Sequence, residues 1–113
     1  MNVIDYEVVA DGNKIKNYII SDEFSVIQVE VNQVCPDVAF LFGLNVKKDF
    51  RGRGIGAAIL DYALDYIIND IHCKVVSLEV DADSWVRDWY KRKGFVDVLA
   101  KSSDRVLMMK CLN

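Results

Sequence analysis

Residues 51–57 read Arg-Gly-Arg-Gly-Ile-Gly-Ala, so three of the chain's six glycines fall within seven positions. Glycine loses more freedom on ordering than any other residue, and such a cluster marks backbone that turns tightly or lies against another group. What flanks this stretch decides the fold. Upstream, residues 3–9, 14–20, 24–31 and 38–46 are β-prone. They are separated by turn signals at Asp11-Gly12-Asn13 and Ser21-Asp22-Glu23, and by a loop at 32–37 that holds the only proline. Within 24–31, Val29 and Val31 share one face while Gln28 and Glu30 share the other, the period of a half-buried strand. Residues 38–46 are apolar on both faces, as in a central strand. The four together predict an antiparallel meander.

Downstream the period changes. Ile55, Ile59, Tyr62 and Tyr66 recur at helical spacing opposite Asp61, Asp65 and Asn69, which predicts a helix from 55 to about 71. Residues 74–80 read as a strand. Asp83 reads as the cap of a second helix with Val86, Trp89 and Tyr90 on its inner face and a stop at Gly94. Residues 95–99 and 105–112 complete the sheet. The predicted fold is α+β with a mixed sheet, in the order β-β-β-β-α-β-α-β-β, forming a single domain over 1–113.

With 113 residues, 52% of them hydrophobic and 27% charged, the chain suits one domain with one core. A net charge of −3 argues against a protein built to grip nucleic-acid phosphates, and an acidic surface is compatible with a cationic substrate. Cys35, Cys73 and Cys111 are odd in number and widely spaced, which predicts neither a disulfide framework nor a metal site and fits a reducing compartment. His72 and Cys73 are adjacent, but neighbours in a helix or strand do not face each other, so they read as a polar helix-end residue and a small core filler. No leader segment and no membrane span are expected, which predicts a cytoplasmic protein.

A strand, a glycine-rich turn and a helix start together make an anion site. The first helical amides lack internal partners, and the helix dipole places partial positive charge on them. Arg51 and Arg53 can add charge-assisted hydrogen bonds. No Lys-Ser/Thr pair follows, so a nucleoside-triphosphate loop is excluded. Gly52-Arg53-Gly54-Ile55-Gly56-Ala57 does satisfy the relaxed dinucleotide pattern G-x-G-x-x-G/A. That pattern belongs to an early βαβ unit of a parallel sheet, however, whereas four antiparallel-type strands precede it here.

Arg51-Gly52-Arg53-Gly54-Ile55-Gly56 resembles the Q/R-x-x-G-x-G/A signature of the GNAT superfamily of acyl-CoA-dependent N-acyltransferases. The approach Leu44-Asn45-Val46-Lys47-Lys48-Asp49-Phe50 is similar to their L-x-V-x-P-x-x segment, with Lys48 or Asp49 where proline is common. Asp83-x-x-Val86-x-x-Trp89-Tyr90-x-x-x-Gly94-Phe95 resembles their N-x-x-A-x-x-L-Y-x-x-x-G-F motif. The resemblance covers residues 38–100. It implies a sheet splayed at the coenzyme site, with acetyl-CoA as cosubstrate and an amine as acceptor. By the same resemblance, the amides of Arg51, Gly52, Arg53, Gly54, Ile55 and Gly56 hold the pyrophosphate. The strand edge at Leu44, Asn45 and Val46 binds the pantetheine arm, Asp83 contacts the coenzyme, and Tyr90 protonates the departing thiolate.

Two departures from the family pattern bear on the acceptor. Helices that the family inserts between its first two strands, and that usually roof the acceptor site, have no counterpart here. This favours a protein or peptide amine, or a site completed by a second subunit in a homodimer. The strand before the glycine turn carries no acid, which leaves Glu79, or Glu30 on the preceding strand, to accept the amine proton. A non-catalytic domain of the same fold, binding acyl-CoA or a partner protein, is the alternative.

Overall fold

The structure, a computed structural model, describes residues 1–112. Its elements are β1 (Asn2–Ala10), β2 (Asn13–Ser21), β3 (Ser25–Asn32), β4 (Val38–Val46), α1 (Ile55–Tyr66), β5 (Val75–Asp81), α2 (Trp85–Arg92), β6 (Val96–Ala100) and β7 (Arg105–Cys111). One seven-stranded sheet runs in the order β1-β2-β3-β4-β5-β7-β6. The meander β1–β4 is antiparallel, as its turn signals predict. Asp11 (φ 52°) and Gly12 (φ 80°) form the two-residue β1–β2 turn, whose left-handed backbone matches the twist of the strands it joins.

β4 and β5 are parallel, joined through α1, and paired only at Val38 with Val75, Ala39 with Val76 and Phe40 with Ser77. Past Phe40 the two strands part. β7 then lies between β5 and β6, antiparallel to both. The crossovers from β4 to β5 and from β5 to β6 move in the same direction across the sheet, and right-handed connections therefore put α1 and α2 on one face. There Ile20, Ile27, Val29, Val76 and Met108 meet Ile59, Leu60, Ala63 and Ile67, all of them fully buried.

The helical stripe differs in detail from the spacing read in the sequence. Ile59, Leu60, Ala63, Leu64 and Ile67 form the buried face, and Tyr62 sits at its margin, exposed. Asp61, Asp65 and Asn69 are solvated as expected. The helix becomes a π turn over Ile67–Ile71 and stops at His72, whose φ of 66° is left-handed. Cys73 is buried, and burial pushes its thiol pKa up, consistent with a core filler and not a nucleophile. The α2 cap also needs correcting by one residue. Ser84, not Asp83, is the N-cap, its Oγ accepting the Val86 amide at 3.1 Å, while Asp83 lies exposed in the preceding turn.

Candidate active site

The site begins with a defect in β4. Val26 of β3 pairs with Asn45, and Gln28 pairs with Phe42, so three steps of β4 match two of β3. Gly43 takes up the extra residue at φ 67°, the left-handed conformation a bulge of this kind requires. A bulge reverses which alternate residues face the helices. Before it Ala39 and Leu41 are buried there; after it Leu44 packs on the core and Val46 lies against Gly56. Because β5 has already parted from β4, the strand from Leu41 to Val46 has an edge free of any β5 partner. A lone glycine in an apolar strand was the sequence signal for this feature, and the sequence reading passed it over.

Two clefts open along the gap. The larger, about 540 Å³, is lined by Leu44, Asn45, Val46, Phe50, Arg51, Gly52, Gly54, Ile55, Gly56 and Ala57 on one side. Trp85, Val86, Trp89 and Tyr90 of α2 form the other side. Arg51 is the one charged residue in that lining, so a chain of net negative charge presents a locally positive, otherwise mostly apolar trough. The second cleft, about 370 Å³, lies between Phe40, Phe42 and Gly43 of β4 and Glu79 and Asp81 of β5, with Arg105 nearby. Leu44, Val86 and Tyr90 line both. The clefts therefore meet at the tyrosine.

At the glycine turn, Gly52 (φ 78°) and Gly54 (φ 79°) are both left-handed, and Gly54 is the N-cap of α1. A Cβ added at either would meet nothing within 4 Å, so it is backbone conformation and open approach that call for glycine. The first helical bond runs from the Ala58 amide to the Gly54 carbonyl, at 3.0 Å. Among the described residues, the amides of 52–57 have no partner. The two arginines behave differently. Arg51 turns back on β4, donating from Nε to the Val46 carbonyl at 2.9 Å, and so fixes the turn to the strand end. Arg53 lies over the Phe50 ring, 5.4 Å from its centroid, outside the cleft.

Tyr90 is placed by the way α2 ends. Phe95 donates its amide to the Tyr90 carbonyl and Gly94 donates to Lys91, both at 3.0 Å, with Gly94 at φ 95°. This is a Schellman stop, which brings the residue after the glycine back onto the last helical turn. The Phe95 ring accordingly meets Tyr90 edge-on at 5.3 Å, and Trp89 meets it at 5.0 Å. The spacing Tyr-x-x-x-Gly-Phe thus has a mechanical basis. Only 7% of Tyr90 is exposed, and burial pushes its hydroxyl pKa up to about 12, so it stays protonated at neutral pH. The hydroxyl has no hydrogen-bond partner among the described residues, yet it is not sealed off, and so it opens to the clefts.

Of the other residues singled out in the sequence, Glu79 lines the second cleft, half-buried. Glu30 pairs with Phe40 and lines neither cleft. Asp83 lies beside Arg87 and Lys91 on the outer flank of α2, away from both clefts. Trp85, 73% exposed at the mouth of the larger cleft, was missed by the sequence reading, as were Phe40, Phe42 and the Asp81–Arg105 ion pair at 2.9 Å. Among the described residues no cluster of His, Cys, Asp and Glu is arranged to hold a metal. Among the same residues no helix is long and apolar enough to cross a membrane.

The sheet is split between the parallel strands β4 and β5, and unpartnered amides stand at the start of the helix that follows β4, an arrangement with room and donors for an extended anionic ligand. Residues 17–95 match the family model described as Acetyltransferase (GNAT) family, and the chain belongs to that family. It is 36% identical over 77 residues to an uncharacterized N-acetyltransferase of Methanocaldococcus jannaschii, covering 62% of this chain and 49% of that protein. The chain thus spans about half the length of this curated relative. The fold is shared with a spermidine N-acetyltransferase from Vibrio cholerae at TM-score 0.71 and 17% identity, covering 87% of this chain and 66% of the other. It is also shared with the ribosomal-protein-S18-alanine N-acetyltransferase of Escherichia coli at TM-score 0.69 and 20% identity, covering 86% and 68%.

Proposed function

We propose that the protein is an N-acetyltransferase that moves an acetyl group from acetyl-CoA to a primary amine. The observation that carries this reading is the junction of the two clefts at Tyr90, with the unpartnered amides of 52–57 at the far end of one and Glu79 in the other. The residues fit the coenzyme. Six free amides at a helix N-terminus, backed by Arg51, suit a pyrophosphate. A free strand edge from Leu44 to Val46 suits the amides of a pantetheine arm, which binds there as an added strand would. Bound acetyl-CoA supplies the thioester that the amine attacks.

The chain's own groups then do three things. A β4 amide at the bulge donates to the carbonyl oxygen as negative charge develops on it. Tyr90, protonated and aimed into the junction, donates its hydroxyl proton towards the departing sulfur. Glu79, whose cleft neighbours Asp81 and Arg105 are paired with each other, draws a cationic amine in and takes its proton, directly or through one water. Asp83 stands off from this arrangement, and its coenzyme contact in the family pattern would require the turn before α2 to move. The acceptor cleft is small and open, which supports a protein or peptide amine, presented on its own chain, over a metabolite enclosed on all sides. The solved neighbours named for spermidine and for a ribosomal-protein alanine span both kinds of amine.

Isothermal calorimetry with acetyl-CoA, followed by thiol release in the presence of lysine peptides or spermidine, tests this reading. Binding heat together with amine-dependent thiol release is expected. Absence of heat at saturating acetyl-CoA would sink it. Binding without thiol release from any amine would leave the non-catalytic reading, which the absence of an acid in β4 favours.

A further inference from the structure

At 73%, Trp85 is the most exposed large apolar residue among those described, and nothing in the packing of the fold accounts for it. Trp89, the chain's other tryptophan, meets Tyr90 edge-on at 5.0 Å and carries Lys93 Nζ 5.6 Å from its ring centroid. Trp85, by contrast, stacks on no ring and meets no cation among the described residues. Both line the larger cleft. A single exposed apolar residue on open surface is ordinary. An indole with free faces in the wall of a ligand cleft calls for a reason.

Its place in the fold supplies one. Because β4 and β5 are parallel, Val46 and Asp81 end them on the same side of the molecule, and α1 and α2 both begin there. Trp85 is the first residue of α2, five positions before Tyr90, and so lies about 7.5 Å further out along the helix axis. Long helical side chains lean towards the N-terminus, which carries the indole to the mouth of the cleft. The glycine turn, with the free amides of 52–57, forms the opposite wall.

We infer that Trp85 is the platform on which the adenine base of the cosubstrate stacks once the pyrophosphate is seated on the glycine turn. This rests on the acetyl-transfer reading. With the thioester at Tyr90 and the pyrophosphate on the amides, the adenosine half begins at the mouth, where the facing wall presents a free indole. Charge sorts the base from the phosphates. Asp83 and Asp88 stand beside Trp85 on the flank of α2, where Arg87 and Lys91 are both paired with Asp97. That flank repels a phosphate but not a neutral base. A base needs only a flat face to stack on, and such a stack strengthens binding by roughly five- to a hundredfold.

Calorimetry with two probes tests this: acetyl-CoA, and acetyl-4′-phosphopantetheine, which keeps the thioester and the arm but lacks the adenosine half. Trp85→Ala should raise the acetyl-CoA dissociation constant about tenfold and leave that of the truncated probe within about twofold. Trp85→Phe, which keeps a ring, should lose less than about threefold. The chain has two tryptophans, so Trp89→Phe isolates the emission of Trp85, which acetyl-CoA should quench and the truncated probe should not. If the truncated probe binds too weakly to measure, the emission decides, and an unquenched Trp85 with acetyl-CoA bound overturns the inference. Equal losses for both probes would mean that Trp85 only shapes the trough for the arm, and no loss that the base sits elsewhere. Either overturns the inference and leaves acetyl-CoA binding intact. A wild-type chain that gives no heat with acetyl-CoA removes the acetyl-transfer reading, and this inference with it.

Discussion

Tyr90 is held by packing, and its proposed proton-donor role can be tested apart from that packing because its ring and its hydroxyl meet different surroundings. The ring is gripped by Phe95 and Trp89, whereas the hydroxyl opens to the clefts. Tyr90→Phe keeps the first and removes the second. It should lower kcat by about a hundredfold, the usual worth of a positioned proton donor, and leave the acetyl-CoA dissociation constant within about twofold. Steady-state kinetics alongside calorimetry check this, and an equal loss in binding would mean that the hydroxyl holds coenzyme. A pH effect follows from the same burial. The hydroxyl titrates at about 12 in the folded chain and near 10 when unfolded. Its contribution to stability is therefore fully present below pH 10 and is lost as pH rises towards 12, at about 1.4 kcal/mol per pH unit. Urea midpoints measured from pH 9 to 11.5 should fall more steeply for the wild type than for Tyr90→Phe.

At the scale of elements, two glycine positions shape the site and a neighbouring arginine does not. Gly54→Ala forces a Cβ into a left-handed N-cap at φ 79°, a strain of about 1–2 kcal/mol that re-aims the free amides. Acetyl-CoA affinity should fall at least tenfold by calorimetry. Arg53→Ala, by contrast, should change it by less than about twofold, because that guanidinium rests on Phe50 outside the cleft. At the bulge, a Cβ on Gly43 would lie 2.8 Å from Gln28 Nε2, and the φ of 67° would resist it even after that side chain moved. Gly43→Val should cost roughly 2 kcal/mol or more in chemical denaturation and reduce kcat/KM, since the bulge sets which way Leu44 and Val46 face. The Gly54 and Gly94 positions were legible from sequence because helix starts and stops have local rules. The bulge was written in a single glycine whose effect depends on the strand paired beside it. The choice of Ser84 over Asp83 as cap turned on one residue of register, which composition alone does not resolve.

At the scale of the whole molecule, the order of elements along the chain and the glycine turn that starts α1 were legible from periodicity and turn signals, whereas the insertion of β7 between β5 and β6 was not. Nor was the acceptor side, because Phe40, Phe42, Glu79 and Arg105 come from three strands and share a wall only after β4 and β5 part. That parting leaves the meander with α1 and the β5–β7 half with α2 joined, strand to strand, by three residue pairs. A ligand seated along the gap touches both halves, and so it should act as a clamp. At a hundred times its dissociation constant, acetyl-CoA adds about 2.7 kcal/mol to stability, which for a chain of this size raises the melting temperature by roughly 10 °C. The distribution of that gain is the sharper test. Amides of β4 beyond Phe40 that point towards β5 have no strand partner and should exchange quickly in the free protein, then slow markedly with acetyl-CoA. Amides of β2, paired with β1 and β3 along their length, should slow far less. Hydrogen exchange read by mass spectrometry distinguishes these cases. Uniform protection across the sheet would mean that the coenzyme stabilises the fold without lying in the gap.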